Sequence, residues 1–248
     1  HAITERRGVT VQAAKNLMRS RPTLIGSVMV ARGEADALLT GVVGRFHKKL
    51  GYVRSVIGLD PGVQSTAAMT GVINNQGVWF FLDTHVQDDP TAEQIAEATL
   101  QASYRLKLFG IEPRIALLSH SNFGSHETPG ALKMRKVREL LLKRVPKLNV
   151  DGEMQGDTAW DELLRQKIMP NSTLKGRANL FVLPNLDSAN IAYNMVRVVT
   201  EGVAIGPILM GISKPVHILT SSATPRRVLN MTAIAAVDTA TVRFSVPS

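Results

Sequence analysis

The residues of this chain that could do chemistry are hydroxyls, amides and cations. The run ALLSHSNFGS at 116–125 sets Ser119, Ser121, Asn122 and Ser125 directly after an apolar segment. An apolar strand that opens into such a loop and then a helix puts these side chains at the carboxyl edge of a sheet, where open α/β sheets take ligands. Short hydroxyls, backbone N–H groups and a helix amino terminus suit the oxygens of a phosphate or carboxylate. The same residues also suit a serine-rich turn that satisfies its own backbone, and the sequence leaves both readings open. Lys214 beside Pro215 can likewise meet a phosphate or stand exposed at a turn.

Other chemistries lack their residues. There is no cysteine, so disulfides, thiolate metal sites and a cysteine nucleophile are excluded. His1, His47, His85, His120, His126 and His217 show no metal-ligand spacing, and His120 with His126 on one loop is too little for a metal site. Gly41-Val42-Val43-Gly44 lacks the third glycine and the acidic residue of a dinucleotide fingerprint, and no Gly-x-Ser-x-Gly elbow occurs.

The elements that must hold these residues read as follows. Residues 8–20 carry Val11, Ala14, Leu17 and Met18 at helical spacing behind Thr10, a capping residue. Arg21-Pro22 breaks that pattern, 24–31 is a second apolar segment, and 37–43 is β-like. Asp60-Pro61-Gly62 signals a turn, and two apolar runs around 74–77 signal a hairpin. Strand and helix then alternate, with helices expected at 91–110, 128–144, 159–168 and 189–200 and strands at 114–118, 148–150 and 180–183. In the helix towards Arg144, the charge run from Lys133 reads as a solvated face opposite Leu132, Val137, Leu140 and Leu141. Such alternation implies an α/β layered fold with mainly parallel sheets.

Composition narrows the partners. Twenty-nine Lys and Arg against 20 Asp and Glu give a formal charge of +9, which attracts anions. Only 5% of residues are aromatic and they are scattered through apolar segments rather than set along a basic stripe, so a polyanionic small molecule fits better than nucleic acid. No apolar run reaches the roughly 18 residues of a membrane span. With no cysteine, the expected location is cytoplasmic. A helix beginning almost at once without an initiator methionine suggests a fragment or an excised domain.

Six blocks, in order, resemble the phosphate acetyl/butyryltransferase family: PTLIGSVMVARGEADALLTG at 22–41, DPTAEQIAEATL at 89–100, ALLSHSNFGS at 116–125, VDGEMQGDTAWDELL at 150–164, KGRANLFVLPNLDSANIAYN at 175–194 and GPILMGISKP at 206–215. FFLDTHVQDDPTAEQIAEATLQA and GRFHKKLGYVRSVIGLDPGV are more similar to the transacetylase-like half of hybrid NADP-dependent malic enzymes, in which a malic-enzyme half precedes this region.

The resemblance implies two α/β/α domains around a cleft, the first built from 1–58 plus 212–248 and incomplete at its amino end, the second from 59–211. It also implies a degenerate active site. The family uses an Asp to take the proton from the thiol of coenzyme A, and an Arg and a Ser to steady charge on acetyl phosphate. Thr220 stands at the Ser position, Ser221 at the Arg and Arg227 at the Asp, and a second pocket arginine aligns with Gly51. Neighbouring cations, among them Lys48, Lys49 and Arg54, could substitute in space.

The implied role is therefore a regulatory, oligomerising domain that binds acetyl-CoA or CoA, with an active phosphate acyltransferase as the alternative. Ser119, Ser121, Asn122, Ser125, Asn179, Asn190, Lys214, Thr220, Ser221, Arg226 and Arg227 are the candidate contacts, with Asn190 also readable as a structural cap. No cofactor is expected in this chain. Acetyl-CoA would act as effector, while NADP and a divalent metal would belong to the malic-enzyme half of the same polypeptide. Self-association as a dimer or larger is expected, without nucleic acid or membrane.

Overall fold

A computed structural model of the chain describes residues 1–240; the last part of the expected first domain, 241–248, lies outside the described residues. The chain opens with α1 (Val11–Ser20), in which the Thr10 hydroxyl accepts the Ala13 N–H, as its spacing predicts. The second apolar segment is a helix, α2 (Pro22–Arg32), started by a proline at its first turn and closed by Gly33 in the left-handed region. Strand β1 (Leu38–Gly41) and helix α3 (Phe46–Val56) follow.

The chain then passes into β2 (Ala67–Asn74) and β3 (Gly77–Leu82), the antiparallel hairpin signalled around 74–77. Helix α4 (Ala92–Leu108) starts on a capping box in which Thr91 and Gln94 satisfy each other's backbone. Strand β4 (Ile115–Leu118), helix α5 (Pro129–Arg144) and strand β5 (Val150–Met154) come next. After α6 (Gly156–Trp160) and α7 (Glu162–Ile168) run β6 (Leu180–Val182), α8 (Leu186–Val199), β7 (Val203–Met210), β8 (Val216–Leu219) and α9 (Pro225–Ala240).

The strands form two sheets. Six lie in the order β5-β4-β6-β3-β2-β7, parallel from β5 to β3 and antiparallel through β2 and β7, and β1 pairs in parallel with β8. The larger sheet is covered on both faces because its strands alternate. Phe80 and Leu82 pack towards α4 and α5, while Trp79 and Phe81 pack towards α8 beside Ala189 and Tyr193. Leu50 and Val53 of α3 cover Val216 and Ile218 of β8 in a third apolar cluster.

The two connections between the sheets run side by side. Asp60 N donates to Gly211 O at 3.2 Å, and Ser213 N to Gly58 O at 3.2 Å. Helix α9 adds a further tie, since Asp238 accepts from Arg105 of α4 and lies 3.0 Å from His217 Nε2 of β8. No described helix is long and apolar enough to cross a membrane.

Four local expectations need correction. The helix expected at 159–168 is broken at Asp161, which is extended and whose carboxylate caps Leu163 and Leu164 to start α7. The strand expected at 148–150 begins only at Val150, and its centre holds Asp151 and Glu153, buried against the arginines of α5. The charge run of α5 is thus not merely solvated: Arg135 reaches Glu153 at 3.1 Å and Arg138 reaches Asp151 at 2.8 Å. Leu132 is exposed, and Ala131 and Met134 bury with Val137 and Leu141 in its place.

Candidate functional site

Where β3 ends, the loop of residues 83–87 is held by a buried carboxylate. Asp83 accepts the N–H groups of Ala68, His85, Val86 and Gln87 at 3.0–3.2 Å. Four donors favour the carboxylate, but burial outweighs them and pushes the group up from 3.8 to about 6. The loop thereby projects His85, whose Nδ1 lies 2.8 Å from Thr84 Oγ1, itself 2.6 Å from Thr70 Oγ1.

Facing this loop is the carboxyl end of β8. There the chain enters residues 220–224, and the Thr224 hydroxyl caps α9 by accepting the Arg227 N–H at 3.2 Å. One turn into α9, Arg227 points inwards, 7% exposed, and donates to Thr220 Oγ1 at 3.4 Å and Ser222 Oγ at 3.5 Å. Helix α8 supplies the third wall with Tyr193, Asn194 and Arg197. Asn190 on the same helix braces the loop after β3 by donating to Thr84 O at 3.2 Å, while Asn194 Nδ2 donates to Asn190 Oδ1 at 3.1 Å.

Together these groups, with Thr70 and Pro207, line a cavity of about 120 Å³. Its walls hold two guanidiniums, an imidazole and hydroxyls, and no carboxylate. Burial first, then the charge of Arg227 and then that of His47, push His85 down from 6.5 to about 4, so it is neutral at physiological pH.

The sequence-derived candidates fall in different parts of the molecule. Thr220 and Arg227 line the cavity, whereas Ser221 and Arg226 are exposed at its rim. Gly51 sits on the exposed side of α3, with open space where a Cβ would project. Ser119, Ser121, Asn122 and Ser125 do form a loop after β4, but β4 lies two strands from β3, roughly 10 Å away.

That loop satisfies itself. Ser121 Oγ donates to the buried Glu153 at 2.8 Å, Ser119 Oγ accepts from Ser121 N, Ser125 Oγ accepts from Asn122 N, and Asn122 pairs with Gln155. Asn179 precedes β6 and so stands at the opposite edge of the sheet from the cavity. It is spent on the backbone of Arg114 and Glu112, at 2.7 and 2.9 Å.

Asn185, not Asn190, caps α8. Lys214 lies before β8 and lines a separate cavity of about 290 Å³ with Asp36, Asp60 and Tyr104. A six-residue separation across an extended strand keeps it roughly 20 Å from Thr220.

Sequence reasoning missed His85, Arg197, Asn194 and Ser222. For His85 a signal existed, because it follows an apolar strand as the serine loop does. For Arg197 none did, since a cation in the last turn of a helix is ordinary.

Comparison with known proteins agrees with this architecture. The family described as phosphate acetyl/butaryl transferase matches residues 1–236. An NADP-dependent malic enzyme of Escherichia coli is 50% identical over 240 residues, which are 96% of this chain and 32% of that protein. A NAD-dependent malic enzyme of Rhizobium meliloti is 48% identical, over 96% of this chain and 31% of its own length. The chain therefore spans about a third of these relatives. Among solved structures, a phosphotransacetylase from Streptococcus pyogenes superposes with a TM-score of 0.89 at 30% identity, covering 96% of this chain and 73% of the other.

Proposed function

The chain belongs to the phosphate acetyl/butaryl transferase family, and from that membership we propose that it is the regulatory, oligomerising, acetyl-CoA-binding part of an NADP-dependent malic enzyme, its own transacetylase activity lost. One observation carries the reading: Arg227 faces the cavity where the family's general base is expected, and no carboxylate lines that cavity. A thiol must lose its proton to attack acetyl phosphate, and loss of a positioned base costs about 10²–10⁴-fold in rate. Loss of an oxyanion donor costs about 10²–10³-fold, and the two do not simply multiply.

What remains is a polar, cationic cleft in an intact scaffold, suited to binding without turnover. In the parent protein, which would convert malate to pyruvate and carbon dioxide, acetyl-CoA must prefer one conformation of the assembly. A coupling of about 1–3 kcal/mol then changes activity about 5–150-fold. Calorimetric titration of this chain with acetyl-CoA tests the reading; no heat and no thermal shift at about millimolar ligand refutes it.

The alternative, an active phosphate acyltransferase, is supported by the likeness to the Streptococcus pyogenes phosphotransacetylase and by His85 as a neutral imidazole in the cavity. Thioester formation from acetyl phosphate and CoA at about 1 s⁻¹ or faster establishes it in place of the regulatory reading.

A further inference from the structure

A second enclosed space lies at the other end of β8 from Thr220, where the two sheets meet. This cavity of about 290 Å³ takes one wall from Val30 and Asp36 of the α2–β1 region, another from Gln101, Arg105 and Leu108 of α4, and a third from Gly211 at the crossing. It far exceeds the roughly 10–15 Å³ that one water needs and reaches the lower end of the roughly 300–1,000 Å³ of ligand pockets. The effector reading makes no use of it.

The buried wall carries an acceptor without a donor. Gln101 is 4% exposed; its Nε2 donates to Glu97 Oε1 at 3.2 Å, whereas its Oε1 has no hydrogen-bond partner among the described residues. That oxygen faces the corner at Gly211, where the wall has no side chain: a Cβ there would stand 3.3 Å from it. A buried acceptor left unpaired costs free energy that an entering N–H or O–H donor returns. The last torsion of a glutamine is soft, so the oxygen can follow such a donor into the cavity.

The surrounding charges choose the donor. Among the described residues that line the cavity, Asp36, Asp60 and Asp238 stand against Arg105 and Lys214, an excess of carboxylate in a chain of formal charge +9. Arg105 is already committed to Asp238. Leu38 pairs with Val216 in the β1–β8 register, and two residues earlier on each chain come Asp36 and Lys214. Neither of these two forms an ion pair among the described residues, and Asp36 is exposed. A hydroxyl compound would satisfy Gln101 but leave the carboxylate excess. A cation with several N–H donors answers both, and Val30, Leu108 and Ile212 can cover a short apolar tail.

We propose that this cavity binds a small primary ammonium compound. Gln101 Oε1 accepts from the ammonium, Asp36 supplies facing charge, and Lys214 competes with the ligand for that charge. The inference stands apart from the effector reading, because it concerns the opposite end of β8 and a ligand of opposite charge.

The probe is propylammonium, with propanol as its uncharged match, titrated into the 248-residue chain and followed by saturation-transfer NMR. A ligand of so few atoms is expected to saturate one site with a Kd of about 1–10 mM, and propanol to bind about tenfold more weakly or not at all. Gln101→Met and Asp36→Asn should each weaken propylammonium about threefold or more. Lys214→Met should tighten it about twofold or more, because the competing cation is gone. Asp36 is exposed, so its variant keeps the test open if Gln101→Met fails to fold, and thermal unfolding checks each variant. No saturable propylammonium binding at about 50 mM, or propanol binding as tightly, overturns the proposal. So does weaker binding in Lys214→Met, or unchanged affinity in Asp36→Asn and in a folded Gln101→Met, since the amine then sits elsewhere.

Discussion

Replacing Arg227 by methionine separates the cost of a buried cation from its use. This guanidinium is 7% exposed and holds two hydrogen bonds of 3.4 and 3.5 Å, too long to count for much. The desolvation penalty of a buried ion is several kcal/mol after relaxation, and each such bond returns at most about 1 kcal/mol. Methionine keeps most of the aliphatic volume, removes the charge and relieves its repulsion of His85.

The balance predicts that Arg227→Met stabilises the ligand-free chain by about 1–3 kcal/mol, or roughly 2–10 °C in Tm for a chain of this size. Calorimetric or circular-dichroism melting at low ionic strength measures it. The same scan with about 20 mM phosphate should raise the wild-type Tm and leave the variant unmoved, because only a folded state that binds the anion gains from it. As a second readout, the His85 pKa should rise from about 4 towards 6.5 in the variant, followed by NMR titration of its ring protons. A variant less stable than wild type by more than about 1 kcal/mol without ligand would refute the reasoning, since it would mean that Arg227 has a compensating partner inside the protein.

The loop after β3 carries two opposed pH effects. His85 is depressed from 6.5 to about 4, so its contribution is present above 6.5 and is lost as pH falls through about 4; urea unfolding should lose a few kcal/mol across that window, and His85→Asn should flatten it. Asp83 is raised from 3.8 to about 6, so its contribution is complete below 3.8 and is lost as pH rises through 6. Asp83→Asn removes that loss but turns an amide N–H towards the Gln87 N–H, and is expected to cost about 1–3 kcal/mol at neutral pH by the same unfolding assay. Gly41 has φ 127°, and a Cβ there would meet Leu219 O at 2.2 Å, so Gly41→Ala should separate β1 from β8 and cost about 3 kcal/mol or more in thermal unfolding. Lys214→Ala should leave acetyl-CoA affinity within about twofold, because that side chain lines a different cavity, whereas Thr220→Val should weaken it about fivefold or more, both by calorimetric titration.

Much of the frame was legible because its signals are local. Thr10, Thr91 and Thr128 each cap the helix that follows, and the apolar runs on either side of 74–77 pair as a hairpin. Strand β5 was misplaced because its centre reads Asp151-Gly152-Glu153, polar residues that only the arginines of α5 make fit for burial. The break at Asp161 was missed because a capping side chain inside an apolar pattern gives no periodic signal.

By itself, the sequence determined the alternation of strands and helices and the family, because both are written in contiguous residues. The tertiary structure alone decided which candidates share a site. Thr70, His85, Asn194, Arg197, Thr220 and Arg227 come from distant parts of the chain and meet only where the ends of β3 and β8 converge on α8 and α9. It likewise turned Asn179 and Lys214 away, because they stand at the amino ends of their strands while the cavity lies at the carboxyl ends. Spacing along a chain gives the face on which a residue projects, but which strand end meets which helix is set by strand order and packing.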